Sequence, residues 1–374
     1  MISPNFWQGK TVLLTGHTGF KGAWLALWLE MLGAKVVGYA LKPPTEPSLY
    51  EASNLAASCV SVIGDVRDAE HLMRIVQEHQ PEIVFHLAAQ PLVRLSYALP
   101  HETFASNVMG TVNVLEAIRT VGTVRSAVMI TTDKVYENAE WIWSYRENDR
   151  LGGYDPYSAS KAAAEMAISA YTTSFFHPDN YSQHRIALAS ARAGNVIGGG
   201  DWAKDRIVPD IVRAILSREA LTIRFPQSVR PWQHVLEPLG GYLVLAEALY
   251  KQGATLSGAW NFAPAYSEKV SVGEIVQIMS ELWGEALPIE LAQTDQPHET
   301  TYLQLDAVKA ARMLNWKAVL TMPETFAMTA DWYKRYAAGE DMRRVSTEQI
   351  SAYMKALESR SLAASGDAMS GGAV

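Results

Sequence analysis

Two short segments carry residue types that can move a proton off an alcohol. Tyr157-Ser158-Ala159-Ser160-Lys161 sets a phenol and an amine four residues apart, which is one face of a helix. An ammonium beside a phenol favours the phenolate and lowers its pKa from about 10. A phenolate near neutral pH is a general base for an alcohol. Thr131-Thr132-Asp133-Lys134 ends an apolar run. Thr132 supplies a hydroxyl to share the same substrate oxygen. Asp133 and Lys134 follow it directly. Oxidising an alcohol also needs a hydride acceptor at the carbon.

A site for that acceptor is written in Gly16-His17-Thr18-Gly19-Phe20-Lys21-Gly22. Its spacing is G-x-x-G-x-x-G, and it lies between an apparent strand and an apparent helix. A chain turning from strand into helix presents unpaired N–H groups where the helix dipole favours a pyrophosphate. Glycine serves where φ must be positive or where backbone must approach phosphate. Gly16, His17, Thr18, Gly19, Phe20 and Gly22 are therefore expected to contact a dinucleotide; the other reading is a tight turn without ligand. The carboxylate that usually binds the ribose about 20 residues on is missing, because strand two ends Gly38-Tyr39-Ala40-Leu41-Lys42. Lys42 suits a 2′-phosphate or plain water, so the residues alone leave NAD and NADP open. Asp65, with Val66 beside it, suits the adenine amine or a helix cap shared with Asp68. Leu87, Ala88 and Ala89 are small enough to let backbone approach the cofactor, or to pack helix on sheet.

These groups need elements to hold them. Strands are predicted at 11–15, 35–39, 60–66, 82–86, 126–131 and 185–191. Helices are predicted at 21–32, 68–80 and 103–121, and from Tyr157 onward. The alternation argues for a Rossmann-type doubly wound parallel sheet covered on both faces. After Arg192 the pattern turns irregular, with prolines at 209, 226, 231 and 238 and helices at 238–250, 272–283, 306–314 and 323–336. This suggests a smaller C-terminal lobe. The expected division is residues 1–191 plus about 235–262 for the cofactor domain, and 192–234 plus 263–364 for the lobe. Residues 365–374 are expected to be a disordered tail.

Composition narrows the classes. Apolar residues are 48% and charged residues 19%, so the body of the chain is not disordered. With 32 basic and 39 acidic side chains the net charge is −7, which excludes a general binder of nucleic acid or anionic membrane. The most apolar stretch, 23–40, is broken by Glu30, Gly33 and Lys35, too soon for a spanning helix. The first residues, MISPNFWQGK, lack a secretory pattern. A cytoplasmic protein is expected. Cys59 is the one cysteine and the nine histidines are dispersed, so neither a disulfide nor a metal site is expected. The 11 tryptophans must fill a core or line a cleft.

Together, TGHTGFKG, YSASK and the segment SARAGNVIGGG (190–200) resemble the extended short-chain dehydrogenase/reductase family that acts on nucleotide sugars, over roughly residues 9–340. The resemblance implies NAD, a sugar nucleotide in the C-terminal lobe, and a homodimer through a four-helix bundle. Within the family an epimerase needs only the Thr and Tyr. A 4,6-dehydratase must also take a proton from C5 and expel the C6 hydroxyl. Members acting on dTDP-glucose carry Thr-Asp-Glu, whereas Thr132-Asp133-Lys134 with GHTGFKG and RPWQHV resembles the branch whose substrate is a CDP-sugar.

The implied catalytic set is Thr132, Asp133, Lys134, Tyr157 and Lys161. Tyr157 takes the C4 hydroxyl proton as hydride passes to NAD. Asp133 gives a proton to the leaving water, Lys134 is the candidate C5 base, and hydride returns to C6. The product is a 4-keto-6-deoxy sugar, a precursor of deoxysugars such as those of surface polysaccharides. As a base near neutral pH, Lys134 would have to be brought down from about 10.4. Asn195, Arg206, Arg230, His298 and Tyr302 are the implied substrate contacts. A 4-epimerase, a dehydratase of another nucleotide-glucose and a non-catalytic NAD-binding scaffold are the competing readings.

Overall fold

The computed structural model describes residues 2–264, 270–292 and 303–370, the side chains of Arg230 and of 360–370 excepted. Seven strands form one parallel sheet: β1 Thr11–Thr15, β2 Lys35–Ala40, β3 Val60–Ile63, β4 Ile83–His86, β5 Ser126–Ile130, β6 Ala187–Ala193 and β7 Gly258–Phe262. The order across the sheet is β7-β6-β5-β4-β1-β2-β3. The direction of winding reverses between β1 and β4, so a crevice opens at the carboxyl ends of those strands. In register, Thr15 stands beside His86 and Tyr39, and Ile130 beside Ala191.

Alternate residues of each strand feed opposite faces, as the two-residue period requires. Leu13, Val37, Val84, Ala127 and Met129 pack under helices α2 (Ala69–His79), α3 (Gly110–Val121) and α4 (Pro156–Ser174). Val12, Leu14, Phe85 and Val128 pack under α1 (Phe20–Met31) and α6 (Leu236–Gln252). The remaining long helices are α5 (Ile207–Ser217), α7 (Val272–Trp283), α8 (Met322–Ala337) and α9 (Met342–Ser370). Buried Glu237 ties α6 to the late chain, accepting from the amides of Val319 (2.8 Å) and Leu320 (2.6 Å) and from the Tyr353 hydroxyl (2.7 Å).

Several boundaries differ from the sequence pattern. Strand β3 stops at Ile63, and Gly64 just beyond it lies against Tyr39, whose ring a Cβ there would meet at 2.4 Å. The helix expected over 103–121 is interrupted by a π-helical turn, Ala105–Met109, where the Asn107 side chain accepts from the Gln90 amide (2.8 Å) and donates to its carbonyl (3.2 Å). Such turns widen the helix so that a side chain can reach out of it. Helix α9 runs through Ser370, past the expected end of the ordered chain at Ser365.

Most of the tryptophans are core. Trp7, Trp24, Trp28, Trp260 and Trp332 are fully buried, while Trp141 and Trp143 are exposed. The 198–200 glycine run exists for two of them. The Trp24 indole donates to the Gly199 carbonyl at 2.9 Å, and a Cβ at Gly199 would fall 2.0 Å from the Trp332 ring. Gly199→Ala is expected to lose about 3 kcal/mol of stability by overpacking, read by urea unfolding. Gly122→Ala, which meets nothing but has φ +73°, should lose only about 1 kcal/mol.

Candidate active site

The cofactor loop is shaped by close backbone contacts. Gly16 has φ +81° and donates its amide to the Tyr39 carbonyl at 2.9 Å. A Cβ there would lie 2.8 Å from the Ala88 nitrogen, and one at Gly22 would lie 2.0 Å from the Gly16 carbonyl oxygen. Helix α1 begins after Gly19 with no side-chain cap and no acid in its first turn. Its leading amides are therefore open to an anion, a cradle that fits a dinucleotide pyrophosphate. Leu87 and Ala88 lie against β1, their amides donating to the Thr15 carbonyl (3.1 Å) and hydroxyl (3.2 Å). Ala89 is half-buried just beyond.

The loop's side chains are largely committed inward. Thr18 donates to the Leu41 carbonyl at 2.8 Å. The His17 ring fills the space over Gly38, where a Cβ would come within 2.3 Å of it, and its Nε2 pairs with the Ser61 hydroxyl at 2.7 Å. Burial pulls His17 down to about 4, so it is neutral. Its buried Nδ1 faces Gly38 and has no protein partner. Asp65 is not a helix cap: Arg67 holds both its oxygens (Nε at 3.0 and 2.9 Å), and Asp68 alone caps α2. Val66 is buried against Gly110, and Lys42 is exposed.

The Tyr157–Lys161 pair is set by a helix start. Asp155 caps α4, accepting from the Ser158 amide at 2.9 Å, with Pro156 in the first position. Lys161 donates to the Ile130 carbonyl at 3.1 Å, at the end of β5. Next along the chain, Thr132 donates to Asp133 at 2.9 Å and lies close enough to Tyr157 to favour its ionised form. Asp133 is buried, and Lys134 is half-buried with its amide on the Thr132 hydroxyl at 3.4 Å. All five expected catalytic residues thus share one end of the sheet.

Their electrostatics differ from the simple pair argument. Burial pushes Tyr157 up to about 12, with the Asp133 and Asp155 carboxylates adding to it and Thr132 and Arg206 opposing. Burial likewise pulls Lys161 down to about 8 against the charge of Glu165. Desolvation dominates both shifts, and Lys161 is not among the groups that lower Tyr157, so the two residues alone do not make a phenolate.

Lys21 joins this group without a sequence-based role. Burial first, then Arg206 and Lys161, draw its amine down to about 8, while Asp133 holds it up. Asn107, which no motif in the sequence marks, donates to the Ser160 hydroxyl (2.9 Å), which in turn donates to the Tyr157 carbonyl (2.7 Å).

On the substrate side, Asn195 is half-buried between β6 and a short strand, Val196–Ile197. Arg206 donates to Asp201 at 2.8 Å and faces Tyr157 closely enough to oppose its rise. Arg230 lies in a short strand paired with Val270–Ser271. Its side chain, with His298 and Tyr302, lies outside the described residues. His234 is buried and pulled down to about 3 by desolvation, so it is no base at neutral pH. Trp202 and Trp232 are buried in the core. A cavity of about 1090 Å³ opens beside Lys204 and Asp205, lined also by Arg94, Arg213 and Arg224. Among the described residues no group of His, Cys, Asp and Glu could hold a metal ion, and no helix is long and apolar enough to cross a membrane.

A doubly wound sheet with a glycine loop at its switch point and Tyr157, Lys161, Thr132 and Asp133 on its rim defines a nucleotide-dependent enzyme fold. The chain belongs to the GDP-mannose 4,6 dehydratase family, which matches residues 13–329. Within it, the CDP-glucose 4,6-dehydratase of Salmonella typhimurium is 54% identical over 356 residues, covering 95% of this chain and 99% of that protein. The dTDP-glucose 4,6-dehydratase of Xanthomonas campestris pv. campestris is 27% identical, covering 86% and 93%. Among solved structures, the UDP-glucose 4-epimerase of Thermus thermophilus in complex with NAD superposes with TM-score 0.74 at 25% identity, covering 87% of this chain and 99% of that one. The dTDP-glucose 4,6-dehydratase of Streptomyces venezuelae, with NAD and TYD bound, shares the fold at TM-score 0.74 and 22% identity, over 88% of this chain and 98% of that one.

The lowered amine of Lys161 has a consequence for stability. Its ordinary value is 10.5 and its folded value about 8, so between these the unfolded chain binds the extra proton. Stability contributed by this group therefore rises with pH across that window and is lowest below about 8. Lys161→Met is expected to be more stable than the wild type near neutral pH and to lose the rise above it. Urea unfolding in steps from neutral pH to about 10 checks this; parallel curves for the two proteins would refute it.

Proposed function

We propose that this protein is a CDP-glucose 4,6-dehydratase, an NAD-dependent hydro-lyase that converts its substrate to CDP-4-dehydro-6-deoxy-glucose and water. The observation that carries the reading is Thr132-Asp133-Lys134 set against Tyr157 and Lys161 at one strand end, in a chain 54% identical to a protein of that name. The first loop and the uncapped start of α1 would hold NAD, through Gly16, His17, Thr18, Gly19, Phe20 and Gly22, with Asp65, Val66, Leu87, Ala88 and Ala89 around it. NAD, when bound, accepts hydride from C4 and returns it to C6.

The remaining work falls to side chains. Tyr157 takes the C4 hydroxyl proton, with Arg206 as the cation that acts against its burial. Thr132 shares the same oxygen and passes a hydrogen bond to Asp133. The 4-keto group then acidifies C5, and Asp133 protonates the departing C6 hydroxyl. Lys134, next in the same turn, removes the C5 proton directly or through water and gives it back to C5 as hydride reaches C6. Asn195, Arg206, Arg230, His298 and Tyr302 are assigned to the sugar nucleotide, where an arginine fork suits a pyrophosphate. Residues 1–191 with 235–262 form the cofactor unit in this reading, and the rest forms the sugar-nucleotide lobe.

The active unit is proposed to be a cytoplasmic homodimer. Supporting this, Tyr97, Phe104, Met109, Met166 and Phe175 are exposed on or beside the helices that cover one sheet face, with Met166 58% exposed. A second copy would cover them as part of a four-helix bundle. Met166→Glu is expected to shift the protein towards monomer in sedimentation, leaving the fold intact.

The test of activity is product analysis by mass and NMR with CDP-, dTDP-, UDP- and GDP-glucose. Loss of one water from CDP-glucose is expected. A C4 epimer without loss of water would replace the reading with an epimerase, and turnover of dTDP-glucose alone would replace the nucleotide. Asp133→Asn and Lys134→Gln should each lower kcat about 100-fold or more with little change in KM, the range general acid–base groups supply.

A further inference from the structure

Beneath the catalytic rim lies a buried ion pair to which no role has been given above. Glu165 follows Lys161 by one turn on α4, and Arg192 sits near the end of β6. Their side chains are 4% and 3% exposed. The Glu165 carboxylate is fully occupied. Its Oε1 accepts from the Thr131 hydroxyl (2.6 Å) and Arg192 Nε (2.9 Å), and its Oε2 from the Ser190 hydroxyl (2.7 Å) and Arg192 Nη2 (2.9 Å). Arg192 reaches on with Nη1 to the Tyr136 hydroxyl (2.7 Å) and the Glu147 carbonyl (2.9 Å), and Tyr136 donates to Asn261 (2.8 Å).

We infer that Glu165, held by Arg192, is a positioning residue for the proposed dehydratase reaction: it anchors the strand end carrying Thr132 and sets a carboxylate one helical turn from the Lys161 ammonium. The inference rests on the reading of the site given above. Three observations converge on it. Thr131, the residue before Thr132, is tied to Glu165 itself. Tyr136, two residues after Lys134, is tied to its partner. Lys161 shares a helix face with Glu165 at i, i+4. A buried pair is poor evidence for stability alone, since desolvation offsets its attraction. Here it links α4, β5, β6 and the turn that carries Asp133 and Lys134.

The electrostatics agree with that geometry. Burial alone would raise Glu165, but the hydrogen bonds and charge of Arg192, then Thr131 and Ser190, hold it low and ionised. Glu165 is the group that supports the charge of Lys161 against burial. From the other elements, Lys161 is faced by Lys21 on α1 and by His86 at the end of β4. Lys21 opposes its charge. His86 is kept neutral by burial, at about 3, and adds no charge.

The test compares Glu165→Gln with the wild type in two readouts. One is the pH dependence of kcat and KM with CDP-glucose. The other is the titration of Lys161 in the full chain, followed by NMR of labelled lysine Cε and assigned with Lys161→Met. Glu165→Gln should move both the alkaline limb of kcat and the Lys161 titration down by about one pH unit or more, the Coulomb effect expected of a nearby carboxylate. KM should stay within about twofold, as for a group that does not touch substrate. Ser190→Ala keeps the carboxylate and its arginine and should leave both curves in place. If Glu165→Gln does not fold, Glu165→Gln/Arg192→Met removes both charges and is read the same way. Unmoved curves, or a moved titration with an unmoved limb, overturn the inference. A wild type that does not turn over CDP-glucose overturns the proposed function instead, and the NMR arm still decides whether Glu165 supports Lys161.

Discussion

The constraint on which this structure turns is the burial of charge at the carboxyl ends of β5 and β6. Asp133, Lys161, Glu165 and Arg192 are all nearly sealed from water there, where an unpaired charge is costly. Each is therefore held by specific partners. Lys161 has a backbone carbonyl, Asp133 has Thr132, and Glu165 has four donors. Satisfying those groups fixes where α4 meets the sheet, and so where Tyr157 stands. The same dryness raises Tyr157 and lowers Lys161 and Lys21.

Glycines and aromatics shape the space around this centre. Gly16 and Gly22 let the first loop press against Ala88 and against itself. Gly38 admits the ring of His17, and Gly199 admits Trp332. At Gly16, Gly38 and Gly199 the space of the missing Cβ is taken by a neighbour distant in sequence. The glycine run at 198–200 serves packing of Trp24 and Trp332. The two sides of the cleft are thus one continuous packed body.

Much of the local structure was legible. The strands at 11–15, 35–40 and 126–130 and the helix at 272–283 follow from apolar period and end signals within a few residues. Asp68 as a cap for α2 was likewise readable, because a cap acts on its own helix. The π-helical turn at Asn107 was not, since the cause is Gln90, which the chain brings there only on folding. The place of the Asp65 carboxylate was hidden for a similar reason: Arg67 is close in sequence, but only the turn after β3 aims it at both oxygens.

By itself, the sequence determined the alternation that winds the sheet, the glycine loop at its first turn, the Tyr157–Lys161 spacing and the Thr132-Asp133-Lys134 order. These are properties of neighbours along the chain, set by backbone periodicity and side-chain type. Only the tertiary structure decided that Tyr157 rises, that Lys21 faces Asp133, that His17 plugs the space above Gly38, and that Glu165 meets Arg192 beneath the site. Protonation depends on the water removed and the charges brought near through space. Those quantities do not exist until residues tens of positions apart are packed together.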